Sequence, residues 1–167
     1  ALVFSQWTSA LDIIDAGLDA RRIAYVRVDG SMLPDARAAA VSRFVDPASG
    51  VDVATLSLKA TALGLNLTAA THVLLVDPWW APAVEDQAAA RAHRLGQTRP
   101  VMVTRFIVEG TVEERVVTLQ EHKRGLAAAA LGGGGGEGDG GGRGGLAGGG
   151  LTSAELHFLF GVDPPAA

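Results

Sequence analysis

Apolar strand-like runs alternating with helix-like runs predict an α/β fold, a doubly wound parallel sheet with helices on both faces. Three observations carry this expectation. The strand candidates are nearly continuous apolar runs, as strands covered on both faces should be. Helix-start signals recur after them, with Pro34 and Pro82 placed where a first turn begins. A chain of 167 residues with 48% hydrophobic content suffices for one compact domain plus a tail, but not for two such domains.

Leu2-Val3-Phe4 reads as the surviving end of a buried strand, so the first strand is expected to be truncated and the chain to be a fragment. Ser5 then sits where an N-cap belongs, ahead of Trp7, Leu11, Ile14 and Leu18 on one helical face. Residues 24–28 form the second strand candidate, Asp29-Gly30-Ser31 a turn, and Pro34 opens a helix with an apolar stripe of Ala40, Val41, Phe44 and Val45. Residues 51–58 and 72–76 are the third and fourth strands. From Pro82 a helix starts with Glu85 and Asp86 in its first turn, where carboxylates favour the helix dipole. Residues 101–108 make the fifth strand, and Thr111 with Glu114 forms a capping box for a helix through about Lys123. Open parallel sheets bind ligands at the carboxyl ends of their strands, so the loops after strands are where chemistry is expected.

Gly132–Gly150 holds 14 of the 22 glycines and reads as a flexible insert. Gly133, Gly135 and Gly138 satisfy G-x-G-x-x-G, but no strand leads into them and no helix leaves, so no dinucleotide site is expected there. Thr152 and Glu155 form a second capping box, followed by Leu156, Leu159 and Phe160 on one face of a short helix suited to docking. The expected organisation is a domain over 1–126, an Ala/Gly-rich linker over 127–150 and a docking helix over 151–161.

Composition excludes several classes. The absence of cysteine removes a disulfide framework, a cysteine-based zinc module and a thiol nucleophile. The four histidines lack metal-ligand spacing, so no metal site is expected. With 14 basic and 18 acidic residues the net charge is −4, and any nucleic-acid contact must come from a local patch. Residues 60–76 carry no formal charge, yet Asn66, His72 and three threonines argue for a buried strand with its approach loop, not a membrane span.

Gln87, Arg91 and Arg94 follow one another at spacings of four and three on the helix from Pro82, and so share a face. Neither arginine has a carboxylate four residues before it. Two such guanidinium groups repel each other and suit an anion with several oxygens, such as a transferring γ-phosphoryl group. On spacing alone, two solvated surface charges remain the other reading.

The run Leu56-Ser-Leu-Lys59-Ala-Thr-Ala-Leu-Gly64-Leu-Asn66-Leu-Thr68, then Asp77-Pro-Trp79-Trp80-Ala-Pro82-Ala-Val-Glu-Asp86-Gln87, then Arg91-Ala-His93-Arg94-Leu-Gly96-Gln97, resembles motifs V and VI of Swi/Snf-type ATPases. Val3-Phe-Ser5-Gln6-Trp7 resembles motif IV, and Val28-Asp29-Gly30-Ser31-Met32 the next block. Residues 105–115 and 151–160 are most similar to the helicase-like transcription factor and DNA-repair branch of that family. The resemblance covers about residues 2–125 and 151–161.

The resemblance implies the second RecA-like lobe of a DNA-dependent ATPase that translocates on duplex DNA without separating its strands. Arg91 and Arg94 then match the arginine fingers that reach ATP held on a first lobe, and Gln87 opens the same motif. Lys59 and Trp80 match DNA-contacting positions, Ser5, Gln6, Gly30 and Ser31 lie in loops that track phosphates, and Gly64, Asn66 and Thr68 link nucleotide to DNA. The implied cofactors are ATP and Mg²⁺, both held mainly by the first lobe. The implied partners are double-stranded DNA, nucleosomes included, and that first lobe, with no membrane. The implied setting is chromatin remodelling or DNA repair in the nucleus. A stand-alone RecA-like module binding nucleic acid or protein without catalysis is the alternative. An RNA helicase lobe fits less well, because Leu95-Gly96-Gln97 follows the second arginine where RNA helicases carry a further one.

Three departures from the family pattern stand out. Thr61-Ala62 replaces Gly-Gly, Ala90 an Asp and Ala81 an Asn; a β-branched Thr61 tolerates positive φ poorly, and loss of an acid at Ala90 should loosen its neighbouring arginine. No G-x-x-x-x-G-K-[ST] and no Asp-Glu dipeptide occur, so the chain alone is expected not to hydrolyse ATP.

Overall fold

The central strand is β1 (Leu2–Ser5), buried along its whole length. It is hydrogen-bonded on one side to β3 (Val53–Ser57) and on the other to β4 (His72–Leu75), both parallel to it. Beyond β3 lies β2 (Tyr25–Val28) and beyond β4 lies β5 (Met102–Arg105), giving a five-stranded parallel sheet in the order β2-β3-β1-β4-β5. The computed structural model describes residues 1–132 and 150–161. Between the strands run α1 (Thr8–Ala20), α2 (Pro34–Val45) and α3 (Pro82–Ala92), followed by α4 (Val112–Gly132) and α5 (Ser153–Phe160). This is the α/β, parallel-sheet fold that the strand composition predicts.

The chain divides into two compact units, Ala1–Asp77 with Glu85–Phe106, and Pro78–Val84 with Ile107–Ala167. In the first, α1 packs on β1 and β3, and α2 on β2. Leu2, Phe4, Leu11, Leu56, Val73 and Leu75 are essentially removed from water, each burial stabilising by about 1.5–3 kcal/mol relative to exposure. At the sheet edge, β5 leaves Met102 and Val103 exposed. In the second unit α5 packs on α4. Lys123 pairs with Glu155 at 2.8 Å, and Arg115 donates to the Leu159 carbonyl at 3.1 Å.

Several local expectations need correcting. Helix α1 begins at Thr8, and Trp7 is its N-cap without a side-chain bond; Ser5 ends β1 instead and is fully buried. Trp7 is therefore 61% exposed, and only Leu11 of the expected stripe is fully buried. Glu114 does not close a capping box. The Thr111 hydroxyl instead accepts from the Glu113 amide at 3.2 Å, and the Glu113 carboxylate accepts from the Val108 amide at 2.8 Å, so the two bonds do not close a reciprocal box. Helix α4 runs on to Gly132, so residues 127–132 are helical rather than linker, as a Leu-Ala-Ala-Ala-Ala run of strong helix formers favours. The Thr152–Glu155 box is present with both bonds, but Leu159 is the buried residue of α5, while Phe160 is 70% exposed. Most of the glycine insert, including its G-x-G-x-x-G match, lies outside the described residues.

Thr61-Ala62 does not require positive φ. Residues Leu58–Leu63 form a 3-10 helix, and the left-handed conformation falls one position later, at Gly64 with φ 68°. Gly supplies that conformation without steric cost.

Candidate nucleotide and DNA site

The carboxyl ends of β2, β3 and β1 lie side by side in that order, and each is followed by a loop bearing singled-out residues. After β2 come Gly30 and Ser31, both exposed. Asp29 shapes that turn: its carboxylate accepts from the Ser31 amide at 2.9 Å and the Ser31 hydroxyl at 2.6 Å. Its other oxygen takes the Arg27 Nε at 3.1 Å. Arg27 also pairs with Asp15 at 2.6 Å and Asp12 at 3.2 Å, tying strand, turn and α1 together. The Ser31 hydroxyl, then burial in opposition, then the Ser31 amide and Arg27 hold the Asp29 carboxyl below its ordinary value. Burial opposes charge on Arg27, but the Asp15 bond and the three carboxylates outweigh it and raise its pKa.

After β3, Lys59 is exposed within the 3-10 helix. After β1, Ser5 is buried, and its hydroxyl donates to the Asp77 carboxylate beyond β4. The Gln6 amide donates to the other Asp77 oxygen at 2.8 Å. Gln6 itself is half-buried. Ser5 thus faces the protein interior, where it fixes the start of the Gln6 loop. Trp80 lies in the loop ahead of α3, half-buried and stacked on Trp79 with ring centroids 3.5 Å apart. The Trp79 carbonyl accepts from Gln120 Nε2.

Helix α3 carries Gln87, exposed, Arg91, half-buried, and Arg94 just past its end, exposed. Glu85, buried on the same helix, pairs with Arg105 of β5 at 3.0 Å. The segment Gly64–Ala70 runs against the end of α3. The Leu67 amide donates to the Arg91 carbonyl at 3.0 Å, and Arg94 Nη1 donates to the Gly64 carbonyl at 3.2 Å. Thus Gly64 and Leu67 are bonded to the two arginines, Thr68 joins the same assembly through its carbonyl, which accepts from Gln97 Nε2 at 2.9 Å, and Asn66 is exposed within it. Arg91 Nε is buried without a hydrogen-bond partner in the described residues. Arg94 spends one of its five N–H donors on Gly64. Ala90 is exposed, and no side chain there supports Arg91.

Asp77 and Gln97 lie inside the quoted motifs without an assigned role, and Arg27 lies in the second strand without one. An apolar strand interrupted by an arginine was the available signal for the last of these.

The helicase conserved C-terminal domain profile matches residues 1–96. The chain belongs to the helicase C-terminal domain family. Among its relatives, it is 46% identical over 162 residues to Helicase-like transcription factor CHR28 of Arabidopsis thaliana, covering 96% of this chain and 16% of that protein. It is 50% identical over 123 residues to DNA repair protein rad8 of Schizosaccharomyces pombe, covering 73% of this chain and 11% of that one. The C-terminal part of the Fun30 ATPase domain superposes with a TM-score of 0.68 at 34% identity, over 71% of this chain and 38% of that one. This helicase C-terminal domain is therefore a second lobe of the Swi/Snf type, spanning less than a fifth of the length of those two curated relatives.

Proposed function

We propose that this lobe completes the ATPase site of a double-stranded-DNA translocase acting in chromatin remodelling or DNA repair in the nucleus. In this reading Arg91 and Arg94 reach a γ-phosphoryl group on a first RecA-like lobe. The observation that carries it is the hydrogen-bonded assembly of the Gly64–Ala70 segment with the two arginines, since an ATPase that moves on DNA needs its DNA-facing and nucleotide-facing elements joined. The relatives named as helicase-like transcription factor and DNA repair protein agree with it.

The residues present fit the anionic end of ATP. Arg91 keeps an unpartnered buried Nε, and Arg94 is exposed with donors to spare. In this reading Mg²⁺ and the phosphate cradle belong to the first lobe, because the P-loop pattern is absent from this sequence. When bound, the nucleotide supplies the phosphoryl group to be transferred. Arg91 and Arg94 then hold charge that grows on its oxygens, as preorganised donors should. Gln87, one turn before Arg91 on the same face, belongs to this group. Gln6, Gly30, Ser31, Lys59 and Trp80 serve the DNA track, and Ser5 serves it by fixing the Gln6 loop.

The test joins this lobe to its first lobe. Arg91→Ala and Arg94→Ala should each lower DNA-stimulated turnover on the order of a thousandfold while ATP and DNA affinities hold, and lysine should rescue poorly because it lacks the planar fork. Unchanged turnover in both variants would overturn the assignment and leave a RecA-like binding module.

A further inference from the structure

Beyond the last turn of α3 the chain reverses at Gly96, whose φ is 101°, and this returns the Gln97 side chain toward the helix end. Its carboxamide nitrogen donates to the Ala70 carbonyl at 2.8 Å and the Thr68 carbonyl at 2.9 Å, with the Ala92 carbonyl at 3.3 Å as a shared third acceptor. Its carboxamide oxygen accepts from the Arg99 amide at 3.0 Å, and Arg99 Nη2 reaches the Ala69 carbonyl at 2.6 Å. Three carbonyls on one side and an N–H on the other fix the orientation of the amide group. Ala92 is the last residue of α3, so its carbonyl is one that the helix itself leaves unpaired. One half-buried side chain thus bonds to the end of the arginine helix and to two carbonyls of the segment after Gly64.

We infer that Gln97 is a positioning residue that clamps the Gly64–Ala70 segment to α3, so that DNA contact at the segment and phosphate contact at Arg91 and Arg94 are transmitted as one rigid displacement. The inference rests on the proposed function for its consequence, but the clamp itself does not. Only a donor suits the site. A glutamate of the same shape would set carboxylate oxygens against three carbonyl oxygens, while keeping the acceptor for Arg99.

The first arm uses the 167-residue chain and measures amide hydrogen exchange. Gln97→Glu should speed exchange of the Leu67 and Ala70 amides by about tenfold, the loss expected of a hydrogen bond worth roughly 1.4 kcal/mol. Exchange of the β1 amides should stay within twofold, by the same reasoning about local opening. Unchanged exchange at Leu67 and Ala70, or an equal rise in β1, would overturn the clamp. The second arm uses the two-lobe protein. Gln97→Glu and Gln97→Met should lower the ratio of DNA-stimulated to basal turnover by about tenfold, within the span of ordinary coupling between sites, with DNA affinity held. Parallel loss of basal and stimulated turnover would mark a merely structural residue and overturn the coupling. If the parent protein shows no DNA stimulation at all, the proposed function fails, and the exchange arm still decides the clamp.

Discussion

The amide of Leu67 donates to the carbonyl of Arg91 at 3.0 Å, across 24 residues of sequence. Three separate ties, from Leu67, Arg94 and Gln97, hold one loop to one helix end, and on the proposed function they join the DNA-facing segment to the phosphate-facing helix.

Asp77, just after β4, ties that strand's end to the end of β1 by accepting both the Ser5 hydroxyl and the Gln6 amide. Asp77→Ala should destabilise the chain by about 3 kcal/mol, because it strips buried donors of a charged acceptor. Ser5→Ala should cost less, on the order of 1–2 kcal/mol, since it removes one bond and leaves the Gln6 amide paired. Urea unfolding of the two variants checks the order; equal costs would show that Ser5 carries most of the interaction.

Stability should depend on Asp29 in a particular pH range. Its folded-state pKa lies below the ordinary 3.8, so its contribution is complete above that value and is lost as pH falls through the lower, folded value. Asp29→Asn should therefore be less stable than the parent at pH 7, and the gap should narrow below about pH 4 as the parent carboxylate protonates. Denaturant midpoints for both chains at pH 7 and pH 3 test this. A gap that widens in acid would contradict the sign.

On α5, Leu159 is 6% exposed, whereas Leu156 and Phe160 are 39% and 70% exposed. Leu159→Ala should loosen the docked helix by about 2–3 kcal/mol, read as faster amide exchange in residues 153–160. Leu156→Asp and Phe160→Asp should have smaller effects. Gly161 ends the helix at φ 66° with the Arg115 guanidinium where a Cβ would fall, so Gly161→Ala should also loosen it, by about 1 kcal/mol.

Lys59 is exposed after β3, and Trp80 offers a half-buried aromatic ring. In the two-lobe protein Lys59→Ala should weaken DNA binding and reduce the slope of log affinity against log salt by about one. Trp80→Ala should weaken binding with no change in that slope, since an aromatic contact releases no counterion. Titrations at three salt concentrations separate the two, and a common slope change would merge their roles.

The parallel sheet was legible in the sequence because buried strands must be apolar on both faces, and the helix starts at Pro34 and Pro82 and the box at Thr152 show in the residues that favour a first turn. Family membership was legible because three motifs keep their spacing. Element ends were not. Whether Ser5 caps a helix or closes a strand depends on Asp77, which is 72 residues away. Whether Leu156 or Leu159 is buried depends on which side of a short helix α4 covers. Arg27 is only a strand residue in the sequence, and folding surrounds it with three aspartates from α1 and the following turn. Gln97 was one letter in a motif, and only folding sets its amide before the carbonyls of Thr68 and Ala70. Local sequence determines which backbone each segment prefers; which donors meet which acceptors is decided when distant segments close on one another, because each buried polar group must then find a partner.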